Sequence, residues 1–235
     1  FNEGSELNST DWRHEVQKSG WVNNELQNYV NGSADGKRVT EIADNRLYIN
    51  CFKGSDGKIY SGRVYAHENQ GWLYGIFEAR IKLPKGKGTW PAFWMMPCNN
   101  DFGANPWPKC GEIDIMEEVG VNPNYTSSSL HTEKFNHVMG TQITKERLTA
   151  GAEDGFHVYR LEWTPDYIKT YVDGKELLNF NNDGKNDVGS WPFNKPFYVI
   201  LNLAWGGDWG GMKGVDESAL PVQMEVDYVR VFQKK

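Results

Sequence analysis

Large apolar residues alternate with polar ones in short runs along the whole chain. Arg46-Leu-Tyr-Ile-Asn-Cys51, Gly75-Ile-Phe-Glu-Ala-Arg-Ile-Lys-Leu83, His157-Val-Tyr-Arg-Leu-Glu-Trp163 and Tyr167-Ile-Lys-Thr-Tyr-Val172 repeat with a period of two, the pattern of a strand with one face buried. Asp173-Gly174 predicts a two-residue turn that folds the last of these back onto Glu176-Leu-Leu-Asn179, because both turn positions tolerate positive φ. Tyr198-Val-Ile-Leu-Asn-Leu203 and Gln223-Met-Glu-Val-Asp-Tyr-Val-Arg-Val231 complete the set. Turn signals separate the runs at short intervals, and no repeat, low-complexity stretch or Pro/Ser-rich linker divides them, so residues 1–235 read as one domain. Many short strands with few helical patterns predict an all-β fold: two antiparallel sheets packed face to face in a jelly-roll sandwich, one face curving into a cleft.

Composition narrows the partner more than the fold. The 10 Trp, 11 Tyr, 11 Phe and 25 Gly favour strands and turns over helices. The net charge of −6 comes with no basic cluster, so no nucleic acid or sulfated polymer would be held electrostatically, and a neutral partner is expected. The most continuous apolar run, Phe197 to Trp205, is interrupted by Asn202 and is far shorter than the roughly 20 residues of a membrane-spanning helix. No transmembrane span is predicted. Cys51, Cys98 and Cys110 are too few for a disulfide framework and lack zinc-site spacing. Two readings stay open: Cys98 and Cys110 close a small loop, or all three are thiols acting as small hydrophobes.

Candidate chemistry concentrates in Gly111-Glu112-Ile-Asp114-Ile-Met-Glu117-Glu118. Side chains alternate along a strand, so Glu112 and Asp114 share a face while Glu117 would point the other way. One extra residue restores it. A β-bulge at Ile115-Met116 is therefore predicted, since bulges re-aim side chains beside active sites. The two Glu backbones would then stand roughly 13 Å apart, and arms of about 4 Å each leave roughly 5 Å between carboxyls, the spacing of retaining rather than inverting glycosidases. Asp114, between them, would tune their protonation. Which Glu carries the proton is left open by the residues alone, and a calcium cage or a solvated acidic strand are the competing readings. The apolar Ile113, Ile115 and Met116 argue against an exposed strand, because inward carboxylates are unfavourable unless they serve a site.

At these residues the chain resembles glycoside hydrolase family 16, in the laminarinase-like branch whose signature is Glu-x-Asp-x-x-Glu; the lichenase signature is one residue shorter. The resemblance extends through Asn24-Glu25-Leu-Gln27-Asn28-Tyr29, Tyr74-Gly-Ile-Phe-Glu-Ala-Arg-Ile-Lys-Leu-Pro84, Thr89-Trp90-Pro-Ala-Phe-Trp94-Met95, Glu162-Trp-Thr-Pro165, Tyr171-Val-Asp-Gly174 and Val226-Asp-Tyr-Val-Arg-Val231. It implies a concanavalin-like jelly roll with the substrate cleft on its concave face, Glu112 as nucleophile, Asp114 as its helper and Glu117 as general acid/base. It further implies that His131 lies near the acid/base. Trp90, Trp94 and Trp107 flank the acidic strand, and indole rings stack on the apolar faces of sugars. Asn28, Arg63 and Trp205 match cleft positions of the family. Asp227, with backbone carbonyls from near Asn45, matches a structural calcium site in many members. No cofactor is implied for catalysis.

The laminarinase-like signature implies β-1,3-glucan or mixed-linkage β-1,3/1,4-glucan as substrate, cut inside the chain by an endo-β-1,3(4)-glucanase. Agarases and carrageenases share the signature, but sulfated chains would favour a basic cleft. A polymer of this size does not cross a membrane, so secretion or a place at the cell surface is expected, and the chain is expected to be monomeric. Two rivals remain, a lectin-like glucan-binding module and a transglycosylase that passes the same intermediate to a sugar.

Overall fold

The computed structural model describes residues 1–66, 70–98, 103 and 106–234. Two large sheets form the frame of the molecule. The first has seven strands in the order Trp12–His14, Arg63–Ala66, Phe197–Trp205, Thr89–Pro97, Glu112–Glu117, Tyr125–His131 and Ile143–Leu148. The second runs Lys175–Asn181, Tyr167–Val172, His157–Trp163, Gly75–Lys82, Val222–Phe232, Arg46–Lys53, Ile59–Ser61 and Gln27–Tyr29, with Thr40–Ala43 beside Arg46–Lys53. The pairings are antiparallel with one correction to the expected topology: Gln27–Tyr29 runs parallel to Ile59–Ser61 at the sheet edge. The anticipated hairpin forms at Asp173 (φ 49°) and Gly174 (φ 74°), joining Tyr167–Val172 to Lys175–Asn181.

The core lies between the sheets. Phe93, Met95, Ile113, Ile115, Leu130, Val199, Leu201 and Leu203 from the first meet Leu47, Ile49, Phe77, Ile81, Leu161, Trp163 and Ile168 from the second. Burying such a face is the driving force that holds the two layers together. Alternation then sends every second residue of the first sheet outward, and this outer face carries the acidic strand's carboxylates. The molecule is a β-jelly-roll sandwich. Among the described residues, no helix is long and apolar enough to cross a membrane.

Candidate active site

The site is built on the strand Glu112–Glu117 and its two neighbours. Gly111 precedes it at φ +88°, with Pro192 only 2.9 Å from where a Cβ would stand, so glycine is required where the chain turns into the sheet. The bulge is present where spacing predicted it. Asp114 pairs with Ser129 and Glu117 with Ser127, so one strand advances by three residues while its partner advances by two. On the other side, Met116 faces Phe93 and Asp114 faces Trp94. Ile115 and Met116 are both buried, and the extra residue turns Glu117 back to the surface of Glu112 and Asp114. The Ser128 hydroxyl donates to the Ile115 carbonyl at 2.7 Å, satisfying a backbone group at the bulge.

Each carboxylate has a distinct set of partners. The Trp107 indole N–H donates to Glu112 Oε2 at 2.8 Å, and the Trp90 indole N–H donates to Glu117 Oε1 at 3.0 Å. His131, the cross-strand partner of Glu112, brings Nε2 to 3.2 Å from Asp114 Oδ2 and 3.8 Å from Glu112 Oε1. Burial is the main cause that raises all three carboxyls. Glu112 is pushed up to about 8, with the charge of Asp114 adding to burial and His131 and Trp107 opposing. Glu117 is pushed up to about 7, the Trp90 hydrogen bond holding it lower than burial alone would. Asp114, almost fully buried, is raised by burial and then by the charge of Glu117. Carboxyls packed this way titrate as a set and retain protons near neutral pH, which supplies an ionised group and a proton donor in one place.

The aromatic and polar surroundings divide into groups that line this face and groups that do not. Trp94 pairs with Ile200 and donates from its indole N–H to Asn202 Oδ1 at 2.7 Å. Arg63 lies opposite Asn202 and stacks its guanidinium on Trp94 (4.7 Å) and Trp21 (5.0 Å). Trp90 meets Trp209 edge to face at 5.5 Å. Trp205 corrects the expectation of a cleft role: it pairs with Thr89, points into the core and is fully buried. Three steps separate it from the outward Asn202, so the two must face opposite ways. Asn28 also departs from its expected cleft role. Its amide donates to the Ile59 carbonyl at 3.1 Å and accepts from the Ser19 N–H at 3.3 Å, whereas Glu25, Gln27 and Tyr29 are the buried, alternating residues that reach toward Asn202 and Trp205.

Two site contacts escaped sequence reasoning. His137, in the short turn His137–Met139, lies tilted against Trp107 at 5.0 Å and edge to face with His131 at 5.2 Å; it sits in a loop, where no periodicity gives a direction. The Glu25-Gln27-Tyr29 face did carry a signal, since residues two apart share a strand face. Elsewhere, Cys51, Cys98 and Cys110 form no disulfide. Asp227 lies at a second bulge, between Val226 and Tyr228, and accepts from Arg80 Nη1 at 2.7 Å. Asn45 (φ 59°) is in the turn between Thr40–Ala43 and Arg46–Lys53, next to Val226 through the Leu47 pairing.

Comparison with known proteins agrees with this architecture. The profile of the glycosyl hydrolases family 16 matches residues 21–230. A beta-glucanase of Rhodothermus marinus is 42% identical over 228 residues, which cover 94% of this chain and 79% of that protein. The X-ray structure of a laminarinase from the same organism superposes with a TM-score of 0.91 at 39% identity, covering 98% of this chain and 93% of the other. A non-specific endo-beta-1,3(4)-glucanase superposes equally well, with a TM-score of 0.91 at 40% identity over 99% of this chain and 92% of its own. A profile match over most of the chain, with sequence and fold both shared at this level, means that the chain belongs to glycosyl hydrolase family 16.

Proposed function

We propose that the chain hydrolyses β-1,3-glucan and mixed-linkage β-1,3/1,4-glucan at internal bonds with retention of configuration. The observation that carries this reading is the bulge at Ile115-Met116, which brings Glu117 onto the surface of Glu112 and Asp114. In the first step the Glu112 carboxylate attacks the anomeric carbon while Glu117 gives its proton to the departing glycosidic oxygen. In the second, Glu117 takes a proton from water as that water's oxygen attacks the same carbon and releases Glu112. Asp114, the most deeply buried of the three, has its proton affinity raised by burial and by the charge of Glu117 and shares a hydrogen bond with Glu112. The Trp107 N–H and His131 favour the ionised form of Glu112, as a nucleophile needs. Trp90, Trp94 and Trp107 offer apolar faces to sugar rings, and Arg63 offers donors to hydroxyls.

The substrate class rests on the laminarinase and endo-β-1,3(4)-glucanase relatives. The core, which draws on both sheets from Leu47 to Val226, supports one domain, and the size of a glucan polymer supports action outside the membrane. Digestion of laminarin, barley glucan, cellulose and agarose, with fresh products read by proton NMR, tests the whole reading. Cutting of the first two alone, with the β-anomer first, is expected; α-anomer first would reject the double displacement. Glu112→Ala should lose turnover by orders of magnitude, and azide should restore cleavage as an α-glycosyl azide. A β-azide would exchange the roles of Glu112 and Glu117.

A structural calcium at Asp227 and the Asn45 carbonyl belongs to the same reading. The bulge leaves the Asp227 backbone outside the ladder and so supports an oxygen site; Arg80, paired with the carboxylate, opposes it. Calcium should raise Tm relative to chelator in the native chain and do nothing in Asp227→Ala. An equal shift in both, or none in either, rejects the site.

A further inference from the structure

Behind the sugar-facing side of Trp94 runs a chain of hydrogen bonds that ends on a buried carboxylate. Trp94 Nε1 donates to Asn202 Oδ1 at 2.7 Å, Asn202 Nδ2 donates to the Tyr29 hydroxyl at 3.2 Å, and that hydroxyl donates to Glu25 Oε2 at 3.4 Å. Glu25 is also held by Gln27 Nε2 at 2.6 Å and by Asn23 Nδ2 at 3.3 Å. Gln27 in turn accepts from the backbone N–H of Trp205 at 2.8 Å, tying the whole set to the strand that carries Asn202. Glu25, Gln27, Tyr29 and Asn202 are all buried.

The carboxylate sets the direction of every bond in this chain. An ionised Glu accepts and does not donate, so the Tyr29 proton must point at it. The Tyr29 oxygen is then an acceptor and takes the Asn202 amide, which leaves the Asn202 carbonyl as the only end that can face Trp94. An Asn amide turned the other way would set N–H against N–H at the indole. Burial raises the proton affinity of Glu25 above the ordinary carboxylate value, and the hydrogen bonds and the charge of Arg63 oppose only part of that rise. The acceptor role is read from geometry, because Asn23, Gln27 and Tyr29 all aim donors at its two oxygens. Trp94 is the cross-strand neighbour of Asp114, and a change in its ring angle therefore moves a stacked sugar relative to Glu112 and Glu117.

We infer that Glu25 is a positioning residue for glucan binding: acting through Tyr29 and Asn202, it fixes the orientation of the Trp94 indole on which a sugar ring rests. This rests on the reading of Trp94 as a sugar platform. A side chain that only filled space here would need no charge. The carboxylate matters because it can only accept and so holds the Tyr29 proton on itself, whereas an amide in its place can present its own N–H to the Tyr29 oxygen, competing with Asn202 and loosening the hold on the Trp94 indole.

Tyr29→Phe removes one oxygen and breaks the relay, and Glu25→Gln keeps its shape while removing its direction. For each, KM on laminarin is expected to rise about 5- to 20-fold with kcat within about twofold. Combined with Trp94→Phe, which has no indole N–H to orient, neither substitution should add to the KM change. Circular dichroism and Tm establish that the variants are folded, and if Glu25→Gln does not fold, Tyr29→Phe carries the test. An unchanged KM in folded Tyr29→Phe, a loss confined to kcat, or full additivity with Trp94→Phe would overturn the inference. A native chain that releases no reducing ends from laminarin would instead reject the hydrolytic reading, and calorimetric titration of the same variants with a laminari-oligosaccharide would still decide the relay.

Discussion

Glu112 and Glu117 differ in the donor each receives, Trp107 for the first and Trp90 for the second, and with Glu117 as the proposed general acid the Trp90 donor bears on the pH range of activity. The Trp90 N–H lowers the proton affinity of Glu117. A general acid must be protonated to act, so activity falls on the alkaline side as pH passes through its pKa. Trp90→Phe removes the donor, leaves the charged form of Glu117 less favoured, and should move the alkaline limb of the kcat/KM profile to higher pH. A limb that stays in place or moves to lower pH would show that another group sets it. The same scale explains the two misplaced residues. Alternation states that Trp205 and Asn202 face opposite ways, and that Asn28 opposes Gln27 and Tyr29, but it does not state which member of each pair meets the core. Pairing with Thr89 decides the first. The hydrogen bond to the Ile59 carbonyl decides the second.

At the scale of the element, the acidic strand is organised by its count of residues. Glu117 shares a surface with Glu112 because one residue at the bulge is taken up out of step, with Ile115 and Met116 both facing the core. Deleting Met116 should yield a regular strand in which the second Glu follows the first by an even number of residues, so both stay on one face and measurable glucan hydrolysis should survive. Inserting one Ala after Ile115 either keeps the bulge and turns Glu117 toward the core, or straightens the strand and carries Glu117 two steps, about 7 Å, further along it than the deletion variant places it. Both part the pair, with an expected loss on the order of 10³-fold in rate. Reducing-end release, with circular dichroism to verify folding, compares the two. An insertion variant as active as the native chain would disprove the dependence on face. Ser128→Ala removes the hydroxyl on the Ile115 carbonyl and should lower stability by about 1 to 3 kcal/mol, measured by denaturant unfolding, because a buried carbonyl loses its partner.

At the scale of the whole molecule, the sandwich holds buried carboxyls outside the site as well. Glu118 is almost fully buried, accepts from the Asn124 N–H at 2.6 Å and is pushed up to about 8 by burial and by Glu153. A carboxyl whose folded pKa is raised contributes its full stability below its unfolded value and loses that contribution as pH rises through the folded value. Together with Glu112 and Glu117, raised to about 8 and about 7, it should make Tm fall from about pH 4.5, the ordinary value of a Glu, to about pH 8 and level off above it. Glu118→Gln keeps an acceptor for Asn124 but cannot ionise, and should flatten that fall while leaving kcat unaltered at neutral pH. A parallel decline in both proteins, followed by scanning calorimetry, would assign the pH dependence elsewhere.

The sequence by itself determined the strands, the hairpin at Asp173-Gly174, the bulge and the identity of the acidic cluster. All of these follow from local periodicity and residue count, which a chain carries without reference to its distant parts. The family resemblance extended that reading to His131, Trp90, Trp94 and Trp107. Tertiary structure alone decided which face of each strand met the other sheet, which indole N–H reached which carboxylate, and how Glu25 came within reach of Asn202 at the far end of the chain. The bonds of Asn202 to Trp94 and Tyr29 join residues more than a hundred positions apart, and like the indole contacts they are set by register and packing between elements, for which no single segment holds the information.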